Sequence, residues 1–116
     1  MKAGKIVLFR FPQTDLDEAK LRPALVITKL PGDFGDWLIC MISTRKHQFQ
    51  SQYDEIIFEG SDEFKTSELK SESIIRSTRL AVVHEDIIIG SIGHISNKLL
   101  NEIRTNLSNW IKPSAS

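Results

Sequence analysis

The hydrophobic positions of this 116-residue chain fall into six short runs, and a stretch with helical spacing follows them. Polar segments that contain glycine, proline and serine separate the runs, which is typical of short antiparallel strands. The pattern predicts strands at residues 5–11, 24–30, 37–43, 53–58, 73–83 and 87–92. The run at 37–43 is apolar on both faces, so we expect it in the interior of the sheet.

The hydrophobic period changes after Ser96. From there the apolar residues recur every three or four positions, as on one face of an amphipathic helix, at Leu99, Leu100, Ile103, Leu107, Trp110 and Ile111. Ser96 is a favourable N-cap, and Pro113 is expected to stop the helix. The whole pattern predicts a mainly β fold, a small and strongly bent antiparallel sheet or barrel with a C-terminal helix. We expect a single domain over residues 1–113 and a frayed tail at 114–116.

Composition narrows the class of protein. Fifteen basic residues balance fifteen acidic ones, which argues against tight non-specific binding of duplex DNA but leaves room for a locally basic groove. No apolar run has the length of a signal peptide core or a membrane span, so we expect a cytoplasmic protein without membrane contact. The single cysteine, Cys40, excludes an intrachain disulfide and lies in an apolar run, where we expect it to be buried rather than nucleophilic.

Candidate chemistry begins at Arg22. Proline disfavours the α region for the residue before it, so Pro23 holds Arg22 extended at the start of a strand, and its planar guanidinium matches phosphate geometry. Two other predicted strands contain or end in hydroxyls and arginines, at residues 43–45 and 76–79. Arginine with a hydroxyl is the minimum set for stabilising a pentacoordinate phosphate, and RNA supplies its own nucleophile, the 2′-OH. Solvated strand ends explain the same residues, and the sequence pattern alone leaves both interpretations open.

The histidines and aromatic residues add little to this picture. No histidine has metal-ligand spacing to another histidine or to Cys40, so we predict neither a metal site nor a cofactor. His47 follows Arg45 in a polar loop, where it is suited to assist acid–base chemistry. Phe49 lies between two glutamines and is either a base-stacking platform or packed, whereas Phe9 is expected in the core.

Six segments carry a resemblance to a known family. They are GKIVL (4–8), RFPQTDL (10–16), LRPALV (21–26), MIST (41–44), LK with SIIR (69–70 and 73–76) and IGHIS (92–96), followed by the closing helix. In this order they resemble the PemK/MazF toxins of bacterial type II toxin–antitoxin systems. The resemblance covers nearly the whole chain.

The resemblance implies a Src-homology-3-like barrel that forms homodimers and binds a cognate antitoxin protein. It implies metal-independent cleavage of single-stranded RNA at short sequence motifs, which leaves a 2′,3′-cyclic phosphate. By this resemblance, Arg22 corresponds to the acid or phosphate stabiliser of the family. Ser43, with Thr44 beside it, corresponds to the residue that hydrogen-bonds the scissile phosphate, and Arg76 corresponds to the arginine of the fifth strand. The neighbouring residues expected to contact RNA are Thr14, Asp17, Lys20, Arg45, His47, Thr78 and Arg79.

The chain also departs from the family pattern. The loop before Arg22 contains no histidine, Thr78 stands where many members have an acid two residues after the arginine, and Glu68 replaces a glycine. These departures leave the general base unassigned and keep a non-catalytic, RNA-binding barrel as an alternative. A protein-targeting relative of the gyrase-poison type is a further alternative, but its terminal Trp-Gly-Ile is absent, because Trp110-Ile111 is followed by Lys112.

Overall fold

A computed structural model describes residues 1–10 and 21–113 of the chain. Its strands are β1 (Lys5–Arg10), β2 (Leu21–Lys29), β3 (Asp36–Ser43), β4 (Glu55–Ile57), β5 (Ser73–His84) and β6 (Gly90–His94). Its α-helices are α1 (Asp62–Ser67) and α2 (Asn97–Ile111), and 3₁₀ helices cover Lys46–Gln48 and Glu85–Ile87. The predicted tail at 114–116 and the predicted strand residue Phe11 lie outside the described residues.

The strands form one six-stranded sheet in the order β4-β5-β3-β2-β1-β6, and every pair is antiparallel. The register shifts between Ile6 and Val7, between Val26 and Thr28, and between Cys40 and Met41. Such bulges bend strands and increase their twist. The sheet is therefore a curled half-barrel, which confirms the predicted fold class, and β3 lies in its interior as predicted.

The two faces of the sheet carry different hydrophobic clusters. On the helix face, α2 packs its buried residues Leu99, Leu100, Ile103 and Leu107 against a cluster that includes Leu25, Cys40, Ile42 and Ile75. The opposite face carries a second cluster, made of Val7, Phe9, Ala24, Val26, Trp37, Ile39 and Val83. Both Cys40 and Phe9 are buried, as the sequence predicted.

Helix α2 begins and ends where the sequence indicates. The Ser96 hydroxyl accepts a hydrogen bond from the backbone N–H of Leu99 at 3.1 Å, and the helix ends at Ile111, just before Pro113. The Ser96 hydroxyl also bonds the Glu63 carboxylate, which ties α1 to the start of α2. The last two apolar positions of the stripe, Trp110 and Ile111, are 42% and 69% exposed, so they do not belong to the core of the described chain.

Four local predictions are corrected. The sixth strand begins at Gly90 rather than residue 87, because a 3₁₀ helix covers Glu85–Ile87. The His84 ring caps this helix by accepting a hydrogen bond from the Asp86 N–H, and the Ile88 N–H closes it on the Glu85 carbonyl at 3.2 Å. The predicted polar loop after residue 60 contains α1, whose N-cap Ser61 accepts a hydrogen bond from the Phe64 N–H at 3.1 Å. The fourth strand, predicted over 53–58, is the shorter β4. The second strand starts at residue 21, so Pro23 pairs with a residue of β1 instead of opening the strand.

Candidate functional site

Arg22, Ser43 and Arg76 lie near one end of the sheet, on the face opposite helix α2. Ala24 of β2 lies opposite Met41 of β3, and Met41 lies opposite Arg76 of β5, so these three side chains share a face. Because side chains two residues apart along a strand also share a face, Arg22 and Ser43 lie on that face too. If the pairing of Ala24 with Met41 is continued by two residues along both strands, Arg22 lies opposite Ser43. The fold thus groups Arg22, Ser43 and Arg76 on one face of the sheet.

Gln48 joins two of these residues. Its Oε1 atom accepts a hydrogen bond from the Ser43 hydroxyl and another from Nη1 of Arg76, each at 3.3 Å. Gln48 reaches this position because the chain turns back after β3 into the 3₁₀ helix Lys46–Gln48, and the Arg45 N–H bonds the Ser43 hydroxyl oxygen at 3.0 Å. A hydroxyl and a guanidinium therefore converge on a single acceptor oxygen.

Asp54 lies on the other side of Arg76. One of its carboxylate oxygens, Oδ2, is 3.8 Å from Nε of Arg76, and the side chains are 1% and 16% exposed. The same oxygen accepts a hydrogen bond from the Gln50 N–H at 3.0 Å, within a turn that the Asp54 N–H closes on the Gln50 carbonyl at 2.8 Å. Sequence reasoning missed both Asp54 and Gln48, since each comes from the loop between β3 and β4. The only sequence signal is an acid directly before an apolar run.

The three residues after Arg76 form a bulge in β5. Cys40 pairs with Leu80 and Met41 with Arg76, so Ser77, Thr78 and Arg79 have no counterpart on β3. Among the described residues, the buried side-chain atoms without a hydrogen-bond partner are Asp54 Oδ1, Arg76 Nε and Ser77 Oγ. All three lie at this bulge or at the carboxylate facing it. Buried polar groups of this kind are costly, and they are concentrated at this site.

The remaining predicted site residues differ in exposure, and some lie outside the described part of the chain. Thr44, Arg45 and His47 are exposed at the end of β3 and in the following 3₁₀ helix. In the bulge, Thr78 is half-buried and Arg79 is exposed. Thr14, Asp17 and Lys20 lie outside the described residues. Phe49 is half-buried, so its ring is partly packed.

The described residues offer little for other kinds of chemistry. No group of three histidine, cysteine or carboxylate side chains in residues 1–10 and 21–113 is arranged to hold a metal ion. Burial, and then the charge of Asp54, raise the pKa of the Cys40 thiol, so the group stays protonated and is a poor nucleophile. No helix in the described ranges has the length and apolar character needed to span a membrane.

Comparison with known proteins shows similarity in both structure and sequence. The fold is similar to that of an endoribonuclease solved in complex with its cognate antitoxin from Mycobacterial species, at a TM-score of 0.66 and 14% sequence identity. That similarity covers 98% of this chain and 97% of the other chain. The sequence profile of the PemK-like, MazF-like toxins of type II toxin–antitoxin systems matches residues 2–111. No curated protein sequence matches the chain.

The fold is a small half-barrel, and its similarity to the endoribonuclease extends over nearly the full length of both chains. The chain belongs to the PemK-like, MazF-like toxins of type II toxin–antitoxin systems. This confirms the family resemblance of the sequence.

Proposed function

We propose that this protein is a toxin that cleaves single-stranded RNA without a metal ion and leaves a 2′,3′-cyclic phosphate. The observation that carries the proposal is the convergence of the Ser43 hydroxyl and Nη1 of Arg76 on one acceptor oxygen, on the face that Arg22 shares. A non-bridging phosphate oxygen is an acceptor of the same kind, and it forms stronger bonds to a guanidinium because it is charged. The family membership of the chain supports the same reaction.

The reaction needs only positioned donors and acceptors. The ribose 2′-oxygen attacks phosphorus, the bond from phosphorus to the 5′-oxygen breaks, and a proton passes from the 2′-OH to a base while another reaches the leaving 5′-oxygen. Ser43 and Arg76 bind the charged phosphate oxygens as the pentacoordinate state forms. Arg22 acts as acid or phosphate stabiliser, and Thr44 lies beside Ser43 at the strand end. The base is not assigned.

Further residues are proposed to hold the RNA strand. On the described part of the chain they are two cations, a histidine and a hydroxyl: Arg45, Arg79, His47 and Thr78. Thr14, Asp17 and Lys20, which precede β2 in the sequence and lie outside the described residues, are proposed to contact RNA as well. Cations bind the RNA backbone, and its bases stack on aromatic rings such as Phe49.

The chain is proposed to act in the cytoplasm, as a homodimer, and to be neutralised by an antitoxin that covers this face. The exposed Trp110 and Ile111 at the end of α2 support a contact with a second copy.

The proposal is tested by incubating the purified protein with a long single-stranded RNA in the presence of EDTA. We expect cuts that carry cyclic-phosphate ends and whose rate is unchanged by EDTA. Arg22→Ala and Ser43→Ala are expected to lower the rate about 100-fold or more, as removal of a transition-state donor does. Lys29→Ala is the matched control, because Lys29 is an exposed cation at the other end of the same strand.

Four results would contradict the proposal or one of its residue assignments. Folded protein that makes no cuts would indicate a non-catalytic relative that binds RNA or a protein target. Loss of cutting in EDTA would exclude the metal-free reaction. A rate that is unchanged in Arg22→Ala would remove Arg22 from the site, and an effect of Thr44→Ala larger than that of Ser43→Ala would assign the phosphate contact to Thr44.

A further inference from the structure

The guanidinium of Arg76 contacts a different side chain at each of two nitrogen atoms. Nη1 bonds Gln48 on the side of Ser43, and Nε faces the Asp54 carboxylate at 3.8 Å. A guanidinium is planar and rigid, so a group that holds Nε also sets the direction of both Nη atoms. The orientation of the atom that meets the acceptor oxygen therefore depends on the group that faces Nε.

Asp54 is suited to this role by its burial and by its fixed position. Its side chain is 1% exposed, and its Oδ2 atom is held by the Gln50 N–H at 3.0 Å. A buried carboxylate is stabilised only by a paired charge or by hydrogen bonds, and Oδ1 of Asp54 has no hydrogen-bond partner in the structure. Arg76 is the cation that pairs with this carboxylate. The two buried side chains are therefore paired by charge at 3.8 Å, without a hydrogen bond from Nε of Arg76.

We propose that Asp54 is a positioning residue that directs Arg76 toward the phosphate of the bound RNA. It supplies, from the loop between β3 and β4, the carboxylate that the sequence 76–78 lacks on β5. Asp54 itself does not contact RNA, because it is buried behind Arg76. This inference rests on the proposed function, but the pairing of Arg76 with Asp54 can also be tested without RNA.

The first experiment is a double-mutant cycle that uses Asp54→Asn and Arg76→Gln. Asparagine keeps an acceptor for the Gln50 N–H and removes only the charge, so the turn at 50–54 is preserved. We expect Asp54→Asn to lower kcat about 10- to 100-fold, as a misplacement of about 1 Å does, with little change in KM. In the Arg76→Gln background the same substitution is expected to have no further effect on kcat.

A purely structural role gives a different result. If Asp54 only closes its turn, the effects of the two substitutions on kcat multiply in the double variant. Multiplying effects, or a wild-type kcat in Asp54→Asn, would overturn the proposal. The thermal midpoint of each variant is measured beside its kcat, so that a loss of folded protein is recognised.

The second experiment needs neither a variant nor activity. The exchange of the Arg76 Nε hydrogen with water is followed in ¹⁵N NMR spectra of the wild-type protein near pH 7. We expect it to be at least about 10-fold slower than the exchange of the Nε hydrogen of the exposed Arg79, because a buried, ion-paired group is exposed to water less often. Equal exchange would overturn the positioning role even if RNA is cleaved. Slow exchange at Arg76 in a protein that cleaves no RNA would support the pairing and contradict only the proposed function.

Discussion

Gly93 of β6 lies where no side chain fits. A Cβ atom built on Gly93 lies 2.5 Å from the Thr66 carbonyl oxygen and 2.5 Å from the carbonyl carbon of Ser67, and the Ser67 oxygen is closer still. These atoms belong to the last turn of α1, which is held by a fully buried Ser67 and by a left-handed Glu68 (φ 56°) at its C-cap. Gly93→Ala therefore forces the end of α1 away from the sheet.

The size of the effect follows from this geometry. The backbone must move by at least about half an ångström, and overpacking of this kind costs about 1–3 kcal/mol. We expect about 3 kcal/mol, the upper end, because the obstacle is peptide groups and not the flexible end of a side chain. A 116-residue domain has a total stability of about 6–17 kcal/mol, so the loss is a large fraction of it. The thermal midpoint should fall by roughly 10 °C.

Gly90 provides a matched control on the same strand. A Cβ atom at Gly90 meets nothing within 4 Å, and neither glycine has a positive φ. We expect Gly90→Ala to leave stability unchanged or to raise it by up to about 1 kcal/mol. Urea unfolding followed by circular dichroism measures both variants. Equal unfolding free energies for Gly93→Ala and the wild-type protein would refute the close approach of α1 to β6.

Three other perturbations have defined outcomes. Ile103→Ala, at a fully buried position of α2, should lower the unfolding free energy by about 2–4 kcal/mol in the same urea assay. Gln48→Ala should lower the KM for RNA about 2- to 10-fold, because the amide oxygen no longer competes with phosphate for Ser43 and Arg76; a higher KM would show that Gln48 helps to bind RNA. Cys40 should resist a thiol reagent at pH 8 until urea unfolds the chain. Because its folded pKa is raised, the folded state keeps a proton that the unfolded chain releases, so stability falls as pH rises above about 8.5.

The elements with a clear hydrophobic period were predictable from the sequence. The continuous run of β3 and the stripe of α2 are each determined by burial, and burial is visible in the order of apolar residues. Helix α1 has only six residues and no apolar stripe, so its N-cap Ser61 was its only signal. The start of β6 was misplaced because Ile87, Ile88 and Ile89 continue the apolar run, although a 3₁₀ helix covers part of it.

The candidate site divides in the same way. Ser43 and Arg76 are candidates from the sequence because each lies in a predicted strand, and the register of the sheet places them on the same face. Gln48 and Asp54 were not identified, since they depend on how a loop returns across the sheet. The bulge after Arg76 was also not predicted, because it is visible only in the pairing of β5 with β3.

The bulge in β5 has a consequence for how the sequence can vary. In a regular strand, one added residue turns every following side chain to the other face and moves core residues into solvent. Residues 77–79 of β5 are not paired with β3, whereas Arg76 and Leu80 on either side of them are. An insertion or deletion there leaves Ile75 and Val83 in their clusters. The contour of the proposed RNA-binding surface can therefore diverge among relatives while the hydrophobic cores remain constant.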